Sequence, residues 1–277
     1  MKFTARQPGI NVNVTPTHPL KELAILAGGL LAVVVGVYLA LGLAVDLIVP
    51  RISMNLEKKL AGAFIGKIVE TEPVTETTRS LQTLVDNLQD RCAPLPYTIT
   101  VHVKESDAVN AAALPGGHMM VFTGLLAEMA SENELAFVLA HELGHYAHRD
   151  HLRGLGRSLV LMTASTVLLG ADNSVNNMIG QGMVLTELSF SRKQETQADE
   201  YALETLFCHY GHVADATSFF SKIPKDGDPG RFGHYFASHP ENRRRIGHLE
   251  DLARERGYPT GTPLPLPADL VSKNKSS

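Results

Sequence analysis

Apolar and polar positions follow a different rule in each part of the chain. From Leu23 to Val45 no charged residue occurs, and Lys21-Glu22 and Asp46 bracket the run. A helix over it would extend roughly 34 Å, enough to cross the hydrocarbon core of a bilayer with some tilt. Val33, Val34 and Val35 favour helix poorly in water, but in lipid the backbone must bond to itself and helix wins. The run is longer than the apolar core of a signal peptide and uncharged on every face, unlike a core helix. It predicts a single transmembrane anchor over 22–46, preceded by a polar, Pro-containing disordered tail over 1–21.

After the anchor the periods shorten. Residues 47–75 read as a connecting segment with some helix from Leu56 to Ile68. Leu81, Leu84, Val85 and Leu88 recur at i, i+3, i+4 and i+7, the mark of an amphipathic helix. Ile99, Val101 and Val103 alternate with polar neighbours, the period of a half-buried strand, and His118 to Thr123 reads as a second strand after the turn Pro115-Gly116-Gly117. Ser131 with Glu134 has the form of a capping box ahead of Leu135, Val138 and Leu139. Leu159 to Gly170 is too short to span a bilayer and reads as a core helix. The elements predict an α+β domain over 76–258, mainly helical with a small sheet. A Pro-, Lys- and Ser-rich end over 259–277 is expected to be disordered.

Composition narrows the function. The 277 residues carry a formal net charge of -4 and no tryptophan. No basic stripe offers a footprint for nucleic acid, so none is expected as a partner. Cys92 and Cys208 are compatible with two buried thiols or with one disulfide on an oxidising side of a membrane. Lys2, Arg6 and Lys21 before the anchor balance Arg51, Lys58 and Lys59 after it, so charge does not orient it.

The chemistry concentrates in His141-Glu142-Leu143-Gly144-His145, an HExxH sequence inside the helix that Ser131 caps. Spacing of i and i+4 puts both imidazoles on one helical face, where they can share one Zn2+, with Glu142 placed to take a proton from a zinc-bound water. Ala136 to Ala140 are apolar, so the histidines emerge from a buried helix. A catalytic zinc needs a third protein ligand, and Glu195 and Asp199, again four apart, can face it from a second helix whose Ala198 and Ala202 permit close packing. Glu195 would ligate the metal while Asp199 accepts the Nδ1–H of a ligand histidine. The same spacing also suits a solvated helix face. His148 and His151 fit a helix end better than a metal.

With these residues assembled, the chain resembles the gluzincin metallopeptidases of the CAAX prenyl protease and HtpX type. Four ordered blocks carry the resemblance: Asn110 to Gly117, HELGH, Ser191-Arg192 with Glu195 and Ala198-Asp199, and Ser238-His239-Pro240 with Arg245-Ile246. It implies a zincin-like metallopeptidase domain, Glu195 as the third zinc ligand, the family's conserved-motif aspartate at Asp199, and His239 near the metal. Ala112 stands where the family has a bulkier residue. With one apolar span, the chain looks like single-anchor bacterial members, which implies the inner membrane with the catalytic domain on the periplasmic side.

The expected activity is therefore zinc-dependent hydrolysis of peptide bonds in protein or peptide substrates, with unfolded or damaged envelope proteins as the class. The alternative is a zinc-stabilised membrane chaperone or scaffold that binds clients without cutting, and it has to explain an intact Glu142. Gly117, His118, Met119 and Met120 are candidate substrate contacts, on the expectation that His118 to Thr123 forms an exposed sheet edge beside the zinc. His118 is otherwise an ordinary strand residue. His239 has three readings: a catalytic donor to the oxyanion, a fourth zinc ligand that blocks the site, or a loop histidine satisfied by the backbone.

Overall fold

The computed structural model describes residues 18–64, 74–156, 165–166, 170, 190–223, 230–239 and 242–271. Helix α1 runs over Pro19–Ile48 and none of its side chains is buried. A helix on a protein core would bury a stripe; here Leu23, Leu26, Leu30 and Leu39 are all exposed. It is long and apolar enough to cross a membrane. A single turn of 3-10 helix, Val49–Arg51, leads to α2 over Met54–Phe64. The expected connecting segment is therefore in part a docked helix, for Glu57 and Ala61 on it are buried.

Helix α3, Glu76–Cys92, begins with a reciprocal Thr75–Thr78 capping box and buries Leu81, Leu84, Val85 and Leu88. Three strands follow, β1 Thr100–Lys104, β2 Ala111–Leu114 and β3 His118–Phe122. The sheet order is β1-β3-β2. Thr100 lies opposite His118 in the parallel β1–β3 pair, and Ala111 opposite Val121 in the antiparallel β2–β3 pair. This corrects the expected substrate edge. β3 is the central strand, bonded on both sides, so it has no free ladder to offer a peptide.

The four residues placed on that edge have other work. Met119 is buried in the main core and Met120 packs with Ala61, Leu114 and Phe122. His118 turns to His102 on β1, at 3.0 Å. Gly117 has φ 88°, and a Cβ there would meet Thr98 O at 2.5 Å, so the position needs glycine for the turn. Among the described residues the edge strands are β1 and β2, and β2 is the one beside the helix that carries the HExxH sequence. The β2 sequence, Ala-Ala-Ala-Leu, carries no β-branched residue and reads as helix or loop.

After a short α4, Thr123–Glu128, the central helix α5 covers Glu132–Ala147, and every residue from Asn133 to Tyr146 is buried. Ser131 Oγ accepts the Glu134 N–H at 3.1 Å, while the Glu134 carboxylate takes the N–H of Ala130 at 2.7 Å, so the box closes one residue early. Helix α6, Arg192–Tyr210, starts with a Ser191–Gln194 capping box and stops at Gly211, which is left-handed. A Cβ on Gly144 would come within 2.8 Å of the Ala198 Cα, so α5 and α6 touch backbone to backbone. Helices α7 Ser218–Lys222, α8 Gly233–Ser238 and α9 Asn242–Glu255 complete the described fold.

Cys92 and Cys208 form a disulfide, with 5.7 Å between their Cα atoms, that ties the end of α3 to α6. Neither is a buried thiol. Residues 259–271 are not the free tail that their composition suggests. Leu264 accepts the Glu132 N–H at 3.0 Å and donates to Asn133 Oδ1 at 2.7 Å. Leu270 is buried. A proline-rich strap lacks donors for a ladder of its own, but it can satisfy the open N-terminus of α5. Most of the Leu159–Gly170 run and residues 1–17 lie outside the described residues.

Candidate metal centre

Helix α5 stacks His141 and His145 one turn apart, with their Nε2 atoms 3.1 Å from each other. Glu195, in the first turn of α6, brings Oε2 to 3.7 Å from His141 Nε2 and Oε1 to 3.5 Å from His145 Nε2. At the end of α8, His239 Nδ1 lies 3.0 Å from Glu195 Oε1 and 3.3 Å from His141 Nε2. All four residues are buried, and one potential ligand atom from each lies within 4.8 Å of the others.

The other nitrogen of each α5 histidine has a carboxylate partner. His141 Nδ1 is 2.9 Å from Asp199 Oδ1 and His145 Nδ1 is 3.1 Å from Asp150 Oδ2. Such contacts fix a ligand imidazole's tautomer and orientation. Asp199 is itself gripped by Arg245, whose Nε and Nη2 donate at 2.7 Å each, and Arg245 Nη1 also pairs with Glu195. Gln194 and Arg153 donate to Asp150 Oδ1 at 2.7 and 3.0 Å. Phe190 stacks on the His145 ring, centroid to centroid at 3.7 Å.

Sequence spacing does not single out Asp150 or the clamping role of Arg245. Asp150 reaches back to His145 because Arg149, at φ 58°, reverses the chain after α5. No helical spacing signals such a turn. Arg245 is nearly fifty residues from Asp199, and only its membership in a sequence block marked it. His148 caps α5, with Nδ1 donating to Gly144 O at 2.8 Å, and the buried His151 directs its Nε2 to Glu57 Oε1, 3.0 Å away.

The local field favours a cation. Burial alone would depress the His145 pKa, yet Asp150 and Glu195 raise it to about 9. Burial would lift Glu195, but His239 and Arg245 hold it well below the usual carboxylate range. Asp199 is likewise kept low against its burial, chiefly by Arg245 and His141. Two imidazoles and a carboxylate converging in a dry, negative pocket are the donor set of a catalytic zinc.

Glu142 completes the arrangement without joining the ligands. Its Oε2 accepts the Ala113 N–H of β2 at 2.8 Å. Among the described residues its Oε1 has no hydrogen-bond partner, and it lies 3.7 Å from His239 Nε2. A buried carboxylate oxygen left open beside a metal group is free to take a proton.

Comparison with known proteins meets this geometry. The model of peptidase family M48 matches residues 75–253. The chain belongs to peptidase family M48. It is 28% identical over 182 residues to the metalloprotease LoiP of Escherichia coli, covering 64% of this chain and 71% of LoiP. It is 31% identical over 159 residues to the metalloprotease YcaL of the same bacterium, covering 52% of this chain and 58% of YcaL. It is 33% identical over 147 residues to the mitochondrial metalloendopeptidase OMA1 of Arabidopsis thaliana, covering 52% of this chain but only 30% of that protein. The M48 chain is a zinc metallopeptidase, and its His141, His145, Glu195 and His239 group fits the metal.

The ligand and its support separate by magnitude. Glu195→Ala should abolish stoichiometric zinc, whereas Asp199→Ala should weaken zinc affinity by about 10–100-fold, as loss of an outer partner does. Metal analysis after dialysis against graded chelator reads both. Outright loss in Asp199→Ala with retention in Glu195→Ala would reverse the assignment.

Proposed function

We propose that this M48 chain is a membrane-anchored endopeptidase that cuts extended segments of unfolded or damaged envelope proteins. The observation that carries the reading is the position of Glu142, between the ligand group and the edge strand β2, 2.8 Å from the Ala113 N–H. Because Phe122 N bonds to Asn110 O, the outward backbone groups of β2 fall on Ala111 and Ala113. A peptide added along β2 as a further strand would carry its scissile bond past the general base. This replaces β3, and with it Gly117, His118, Met119 and Met120, as the substrate edge. Strand addition reads little side-chain information, which suits unfolded clients.

His141, His145 and Glu195 would hold the zinc, which when bound would supply Lewis-acid chemistry to acidify a water and polarise a carbonyl. Glu142, through its open Oε1, takes the proton of the attacking water and returns it to the leaving nitrogen. His239 is best read as a fourth ligand that must withdraw, because its Nδ1 rather than its Nε2 faces the ligand group. Its ring rests on Tyr235, which holds that pose.

Anchoring is supported by the exposed apolar surface of α1. Placement of the domain on the periplasmic side is supported by the Cys92–Cys208 disulfide, a bond that persists in oxidising compartments.

Full-length protein in detergent, mixed with unfolded casein, should produce fragments, and EDTA should abolish them. Glu142→Gln should keep its zinc and lose at least about 10²–10⁴-fold in turnover. Client binding without fragments by the zinc-loaded parent would favour the scaffold reading.

His239→Ala should retain zinc and raise basal cleavage of casein. Lost turnover at full zinc occupancy would instead assign His239 to the oxyanion, and unchanged kinetics would leave it a packed histidine.

A further inference from the structure

The juxtamembrane helix α2 brings a charged residue into the protein interior. Glu57 is fully buried, although its neighbours Leu56, Lys58 and Lys59 are exposed and the segment looks like a solvated linker. It lies outside the residues 75–253 that the family model covers. Four groups converge on its carboxylate. The Gly116 N–H donates to Oε1 at 3.0 Å and His151 Nε2 lies 3.0 Å from the same oxygen. Tyr97 Oη donates to Oε2 at 2.9 Å and Arg149 Nη2 at 3.1 Å. Burial would raise the Glu57 pKa, but His151, the Gly116 N–H and Tyr97 bring it down to about 2.

These partners are not a random set. Gly116 sits two residues past the end of β2, in the turn that joins it to β3, and a Cβ on it would meet Ala61 of α2 at 2.6 Å. Arg149 and His151 flank Asp150, which orients His145. The His151 and Tyr97 rings pack against Tyr146, at 4.6 and 5.2 Å between centroids. Tyr146 Oη in turn accepts the Leu114 N–H at 3.1 Å and donates to Leu114 O at 2.7 Å. One carboxylate from the membrane side thus holds both the end of the edge strand and the turn behind a zinc-binding histidine.

We propose that Glu57 is a positioning residue that couples the juxtamembrane helix to the substrate edge, so that β2 is aligned for a peptide only when α2 is docked. The proposal rests on the reading of β2 as the substrate edge. Loss of the carboxylate would leave the buried His151 Nε2 and the half-buried Arg149 guanidinium and Gly116 N–H without this partner, and the turn would shift to reach others. Small misplacements of a binding element cost large factors in rate.

The test uses full-length protein in detergent with Glu57→Gln and Glu57→Ala. Zinc should remain stoichiometric, since no ligand is touched. KM for unfolded casein should rise about tenfold while kcat falls by less, the pattern of a displaced binding edge. Amide exchange should quicken over 111–117 and leave Leu81 to Leu88 in α3 unchanged. Tyr97→Phe removes one of the four contacts without stranding a charge. It should show the same pattern at smaller amplitude, and it decides the matter if the Glu57 variants do not fold. Unchanged KM and local exchange in folded protein would overturn the proposal. So would a lowered Tm with exchange raised uniformly, which marks a merely structural role, or loss of zinc. If the parent itself cleaves nothing, the substrate reading fails while the exchange pattern still tests the coupling.

Discussion

Helices α5 and α6 approach so closely that a methyl group on Gly144 would strike the Ala198 backbone, at 2.8 Å from its Cα. Most of the site follows from that contact. It brings a helix carrying His141 and His145 against one carrying Glu195 and Asp199, with no intervening side chain to hold them apart. The four groups are then within reach of one cation and removed from water. A larger residue at either position would push the helices apart and draw His141 and His145 away from Glu195.

Such closeness gathers charge that must be neutralised. Glu142, Glu195, Asp199 and Asp150 are all buried around two imidazoles. Desolvating this many carboxylates is costly unless each is paired. Arg245 spans Asp199 and Glu195, Arg153 and Gln194 satisfy Asp150, and Ala113 holds one oxygen of Glu142. What these partners leave unanswered is the space between His141, His145 and Glu195, which a divalent cation matches. Glu57 repeats the pattern on a smaller scale, where it links α2 to the turn after β2 and to the turn after α5.

Much of this was legible in the sequence because local periodicity and sterics encode it. The i, i+4 pairs in α5 and α6, the stripe of α3, the alternation in β1 and the small residues of α6 state their roles within a few positions. What could not be read depends on distant pairing. β2 has the composition of a helix and becomes a strand only because β3 lies beside it, so the edge was assigned to the more β-prone neighbour. Asp150 reaches His145 through a reversal at Arg149, and Arg245 finds Asp199 across the fold. Glu57 sits among lysines in a segment that composition marks as a linker. The proline-rich residues 259–271 look disordered by content, yet the Leu264 carbonyl accepts the Glu132 N–H at the start of α5.

The α5–α6 contact is expected to build a zinc site from two histidines and a glutamate. X-ray absorption at the zinc edge of purified full-length protein tests it most directly. One zinc per chain, in a shell of imidazole nitrogen and carboxylate oxygen at about 2.0–2.2 Å, is the expected result. Sulfur scatter at about 2.3 Å, or a shell with no imidazole, would contradict it.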